Sequence, residues 1–127
     1  MAGELILVIE DNEKNLKLTR AVLRMSGYRT LEAGTAEEGI ELAHAYLPQL
    51  ILLDVQLPGT DGIVALARLK AAPPTSSIPV VALTAFAMKE DRERFVKAGF
   101  DGYLPKPIDV ETFPDRLRQY FADPAEG

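Results

Sequence analysis

The sequence predicts an α/β fold: a doubly wound parallel sheet with helices on both faces. Two observations predict it. Five short apolar runs alternate with five segments of helical period, which is the order of elements a parallel sheet requires. The central runs, Leu5–Ile9, Leu50–Leu53 and Val80–Leu83, are apolar throughout instead of alternating, as burial on both faces demands. A third observation locates the chemistry. Four of the runs are followed by polar groups: Glu10 and Asp11, Asp54, Thr84, and Lys106. In open parallel sheets ligands bind beyond the carboxyl ends of the strands, so these groups are expected on one edge.

The elements follow in order. Leu5–Ile9 is the first strand. Glu13–Ser26 is a helix with Leu18, Val22 and Met25 as its apolar stripe, stopped by Gly27. Tyr28–Ala33 is a weaker second strand. Thr35-Ala36-Glu37-Glu38 fits a capping box that opens a helix to about Tyr46, and Pro48 ends it. Leu50–Asp54 is the third strand. Thr60 or Asp61 caps a helix to about Ala72, and Pro73-Pro74 cannot continue it. Val80–Thr84 is the fourth strand, Ala87–Ala98 a helix stopped by Gly99, and Tyr103–Leu104 the fifth strand. A last helix runs to about Phe121. Pro114 is too costly in a helix interior, at about 3 kcal/mol, so that helix is predicted to begin near Thr112 with Pro114 in its first turn. Residues 1–127 are read as one domain with a core at 5–121 and a polar tail at 122–127.

Composition narrows the function. The 127 residues are 47% hydrophobic and 26% charged, enough for a core without crosslinks. The net charge of −5 argues against broad nucleic-acid binding, which needs a basic face. There is no Cys, so disulfide, thiolate and Cys–zinc chemistry are excluded. No apolar stretch reaches membrane-spanning length, and the first residues carry no basic leader, so a cytoplasmic protein is expected.

Three carboxylates gathered at one edge repel one another. At about 4 Å and an effective dielectric near 20, each pair costs on the order of 4 kcal/mol. A hard divalent cation such as Mg²⁺ suits oxygen-only ligands and offsets that cost. Asp54 could then act as a nucleophile toward a phosphoryl group, with Lys106 and the Thr84 hydroxyl neutralising or hydrogen-bonding its oxygens.

Glu10-Asp11, then Asp54-Val-Gln-Leu-Pro-Gly-Thr-Asp-Gly62, then Leu83-Thr84-Ala85, then Lys106-Pro107 resembles the receiver domain of bacterial two-component response regulators, the CheY-like family. The match covers residues 5–121. The resemblance implies a flavodoxin-like sheet of order 2-1-3-4-5 and a chain that is not a turnover enzyme. It implies that Asp54 takes a phosphoryl group from a phosphohistidine on a sensor histidine kinase or a histidine phosphotransfer protein. It further implies Mg²⁺ held by Glu10, Asp11, Asp54 and the Gln56 backbone carbonyl. Thr84 and Tyr103 would be the switch pair, the Lys106–Pro107 bond would be cis, and a downstream protein would read the face built from the fourth helix, fifth strand and last helix.

Other readings are weighed beside it. A haloacid-dehalogenase-type phosphatase would want a second Asp two residues after the nucleophile, where this chain has Gln56. A flavin carrier would want a phosphate loop where Glu10-Asp11-Asn12-Glu13 stands. A degenerate receiver that signals without phosphorylation would not need the five polar residues, all of which are present. Asp61 is read as a helix cap and the single His, His44, as a helix surface residue. Leu16 and Leu23 are expected to pack against the last helix, the alternative being a docking surface at Leu16 beside Asn12 and Asn15. The charged helix segment Lys89–Lys97 is expected to be a solvated face on the output side. The chain is expected to stand alone, the alternative being a piece of a hybrid kinase or a larger regulator.

Overall fold

Five strands form one parallel sheet in the order β2-β1-β3-β4-β5: β1 is Leu5–Ile9, β2 Arg29–Ala33, β3 Leu50–Asp54, β4 Val80–Thr84 and β5 Gly102–Pro105. The computed structural model describes residues 3–55, 62–85, 89–106 and 108–121. The register sets Ile6 beside Leu50, Leu52 beside Val81, and Val81 beside Gly102. The strand order and the winding on both faces are those the sequence implied. β2 starts at Arg29, one residue later than expected, and β5 extends by one residue at each end.

The period of two divides the apolar residues between two cores. Leu7, Ile9, Ile51, Leu53, Val80 and Ala82 face one side. There they meet α2 (Ala36–Tyr46), α3 (Gly62–Ala71) and α4 (Lys89–Ala98) through Ile40, Leu66, Leu69 and Phe95. Ile6, Val8, Leu50, Leu52, Val81 and Leu83 face the other side, against Val22 and Leu23 of α1 (Glu13–Met25) and Phe113 and Leu117 of α5 (Phe113–Arg118). Every residue of β3 and β4 is buried. Each fully buried Leu or Ile contributes about 1.5–3 kcal/mol, so the central strands anchor the edge that carries the polar groups.

The helix ends follow local chemistry. Asn12 caps α1 by accepting from the Asn15 N–H at 3.0 Å, and Gly27, at φ 91°, terminates it. At α2 the capping box forms with a shift. Thr35 accepts from Glu38 N–H at 3.1 Å, and Glu38 returns to the Gly34 N–H at 3.0 Å. Leu47 ends α2 in the left-handed region at φ 46°, ahead of Pro48. The expected caps Thr60 and Asp61 and the expected helix start at Ala87 lie outside the described residues. α5 begins at Phe113 with Thr112 as its N-cap and Pro114 in its first turn, as predicted, and a 3-10 turn over Gln119–Phe121 follows it.

One stripe is corrected. Met25 of α1 is 82% exposed, and the buried residues of that helix are Thr19, Val22 and Leu23. Leu16 is half-buried and packs with Leu23 against the cluster that holds Phe113 and Leu117, which is the packing account rather than the docking one. His44 is exposed in the last turn of α2. Among the described residues no helix is long and apolar enough to cross a membrane.

Candidate functional site

Glu10 follows β1 directly, and its N–H continues the ladder to Ala33 O at 2.9 Å. Its side chain is 1% exposed and accepts the Asn12 N–H at 3.1 Å through Oε2. Asn12 therefore caps a helix with its side chain and holds Glu10 with its main chain. Asp54 is the last residue of β3 and 2% exposed. Glu10, Asp11 and Asp54 each bring a carboxylate oxygen within 4.8 Å of the others, and Asp11 is the exposed member. Lys106 lies one residue beyond β5, with its N–H donating to Thr84 O at 2.8 Å. Its Nζ sits 3.2 Å from Asp54 Oδ2 and 3.3 Å from Glu10 Oε1. Thr84, fully buried, ends β4 between them. Four strands, β1, β3, β4 and β5, thus supply one cluster, because a parallel sheet aligns their carboxyl ends.

One lysine does not neutralise three acids. Burial, with a hydrogen bond and repulsion from Asp54, pushes the Glu10 carboxyl up from 4.5 to about 7, against the lowering influence of the Asn12 N–H and Lys106. For Lys106, burial disfavours the cation, but the Asp54 and Glu10 carboxylates outweigh it and hold the ammonium above its ordinary value. The cluster keeps Lys106 charged and leaves Glu10 competing for a proton. A hard cation with oxygen ligands answers that imbalance, and the donor set here is oxygen only. Gln56 and Pro107, expected as a carbonyl ligand and a cis proline, lie outside the described residues.

Tyr103 is not in this cluster. It lies half-buried on β5, and its hydroxyl accepts from Arg92 Nη1 at 3.2 Å. The Arg92 guanidinium carbon lies 5.8 Å from the ring centre. On the other side the Tyr120 hydroxyl is hydrogen-bonded to the Tyr103 main chain, and its ring covers Gly102. Sequence reasoning missed both contacts. Arg92 reads as one charge in a solvated helix, and nothing in its spacing announces an aromatic partner on a strand.

Residues 6–118 match the family model for the response regulator receiver domain. The chain belongs to that family. This receiver domain is 41% identical over 118 residues to the polar-differentiation response regulator DivK of Brucella ovis, covering 93% of this chain and 96% of the relative. A putative response regulator from Chloroflexus aurantiacus superposes with a TM-score of 0.89 at 28% identity, over 95% of this chain and 99% of that one. The receiver domain of a sensor histidine kinase from Pseudomonas aeruginosa, with a magnesium ion coordinated in its active-site cleft, superposes with a TM-score of 0.87. It is 33% identical, over 96% of this chain and all of that one. Receiver domains are signalling modules of two-component systems, not turnover enzymes. The phosphatase and flavin-carrier readings give way to the receiver.

Proposed function

We propose that this chain is a phosphoacceptor in two-component or phosphorelay signalling and that Asp54 receives the phosphoryl group. The observation that carries the reading is the acid cluster itself. Glu10, Asp11 and Asp54 gather within 4.8 Å, and Lys106 reaches Asp54 and Glu10 at 3.2 and 3.3 Å. Mg²⁺ would be held by Glu10, Asp11 and Asp54, with the Gln56 carbonyl, and would supply charge neutralisation at the phosphoryl oxygens. The donor is a phosphohistidine on a sensor histidine kinase or a histidine phosphotransfer protein. An Asp54 carboxylate oxygen forms the bond to phosphorus as the phosphorus–nitrogen bond breaks, and the donor imidazole keeps the electron pair. Lys106 transfers its attention from the bare carboxylate to the new phosphoryl oxygens, and the Thr84 hydroxyl donates to the same group. The phosphoryl group carries about −1.5 to −2 in place of the single negative charge of the carboxylate. This displaced and enlarged charge biases Thr84 and Tyr103 as a switch pair, the altered surface being read by a downstream protein in the cytoplasm.

Incubation with acetyl phosphate and Mg²⁺, followed by intact-mass measurement, tests this. One phosphoryl adduct is expected on the unmodified chain and none on Asp54→Asn. An adduct that survives the substitution, or none at all on the unmodified chain, refutes the reading.

A further inference from the structure

Gly62 opens α3 and is buried. A side chain has no room there. A Cβ on Gly62 would lie 2.6 Å from Val55 Cα, 3.0 Å from the Asp54 carbonyl oxygen and 3.2 Å from the Val55 carbonyl carbon. All three are main-chain atoms, which cannot rotate aside as a side-chain tip can. The Gly62 backbone is not in the left-handed region, so the demand is for space and not for an unusual conformation. Gly39 makes the contrast. It is crowded too, but by the Ile9 side chain, so its demand is one of core packing.

The crowded backbone is the one that carries Asp54. On its other side the Val55 N–H donates to Leu83 O at 3.3 Å, which ties the end of β3 to β4. The segment is bounded by β4 on one flank and by the first residue of α3 on the other. A Cβ at 62 would force it to move by several tenths of an ångström. The Asp54 carboxylate has little such tolerance: Lys106 Nζ is already at 3.2 Å, and a polar contact fades beyond about 3.5 Å.

We infer that Gly62 is a positioning residue for Asp54, its missing side chain letting α3 close on the end of β3 so that the carboxylate points at Lys106, Glu10 and Asp11. The inference rests on the proposed role of Asp54. The test compares Gly62→Ala with Thr75→Val. Thr75 lies just past the far end of α3, where its buried hydroxyl donates to Leu69 O at 2.6 Å, so its loss costs stability away from the site. Three quantities are measured: the urea midpoint, the Mg²⁺ affinity by calorimetry, and the rate constant for phosphorylation by acetyl phosphate at saturating Mg²⁺. Backbone amide shifts of Val55 and Leu83 in the metal-free chain report the geometry directly.

Gly62→Ala is expected to displace those amide signals, weaken Mg²⁺ binding and slow phosphorylation about tenfold or more, as small misplacements of reacting groups do. Thr75→Val is expected to lower the urea midpoint and leave the other readouts alone. Mg²⁺ affinity and rate for Gly62→Ala both within about twofold of the unmodified chain would overturn the inference. If Gly62→Ala is partly unfolded, the measurements are repeated in trimethylamine N-oxide, which restores compactness without repairing geometry. A chain still unfolded there also overturns it, since Gly62 would then serve the fold alone. If the unmodified chain takes no phosphoryl group, the proposed function fails, while the amide shifts and Mg²⁺ affinity still decide the role of Gly62.

Discussion

Glu10 and Asp54 are carboxylates nearly sealed from solvent with one ammonium between them. The consequence at the level of single residues is a pH dependence with a definite sign. The folded Glu10 carboxyl titrates at about 7, above its ordinary 4.5. The folded chain therefore holds a proton that the unfolded chain releases, and stability from this group is full below pH 4.5 and lost as pH rises through 7. In the presence of a chelator, the urea midpoint of the unmodified chain is expected to fall across that window, and Glu10→Gln is expected to flatten the fall. A profile unchanged by Glu10→Gln would contradict it. Lys106 opposes the rise in Glu10, so Lys106→Met is expected to extend the same window to higher pH. The residues of this cluster were legible because each follows an apolar run, and a parallel sheet puts such positions on one edge. What they do to one another was not legible. The rise of the Glu10 carboxyl beside Asp54 and the cation that reaches both depend on burial, which spacing does not give.

Elements with continuous apolar runs were read to the residue: β1, β3 and β4 have the predicted bounds. The first helix was read correctly at Leu18 and Val22, which pack into the core, and wrongly at Met25, and the full width of its buried face was hidden for a physical reason. Thr19 occupies its buried face because its hydroxyl is satisfied inside the helix, donating to Asn15 O at 2.8 Å, so the stripe reads as polar where it is most buried. The apparent apolar position, Met25, is in solvent. The charged fourth helix hid its strand partner in the same way. The Arg92–Tyr103 contact joins α4 to β5 by a hydrogen bond and a cation over a ring, and at an exposed site such a pair is worth about 0.5–1 kcal/mol. A double-mutant cycle of Arg92→Ala and Tyr103→Phe, read from urea unfolding, is expected to recover most of the hydrogen-bonded share as coupling; additive losses would remove the hydrogen bond from the solution structure. At the other end of the chain, Pro114 lies in the first turn of α5, where a missing N–H costs nothing. Pro114→Ala is therefore expected to change stability by less than about 1 kcal/mol, not by the ~3 kcal/mol of an interior proline. A larger gain would mean that the helix is held short by proline alone.

For the molecule as a whole, the site and the fold are one event. Glu10 and Lys106 are 96 residues apart and meet only when β1, β3, β4 and β5 have all paired. Repulsion among the acids is thus charged against the folded state, and a cation bound there is a ligand of the folded state alone. Mg²⁺ is expected to stabilise by about 2.7 kcal/mol at a concentration one hundred times its Kd. Asp11 separates this effect from the integrity of the sheet. It is exposed at the rim of the cluster, while Glu10 and Asp54 are buried. Asp11→Asn removes the charge of a proposed ligand and a like-charge repulsion without opening a cavity, so metal-free stability should stay within the ±0.5 kcal/mol typical of surface changes or rise slightly. The Mg²⁺-dependent increase should largely disappear. Urea unfolding with and without Mg²⁺ reads both terms from one pair of curves. An undiminished Mg²⁺ response in Asp11→Asn would exclude Asp11 from the ligand set. A collapse of metal-free stability would show instead that its carboxylate supports the fold, leaving Glu10 and Asp54 as the acids whose burial only a cation can offset.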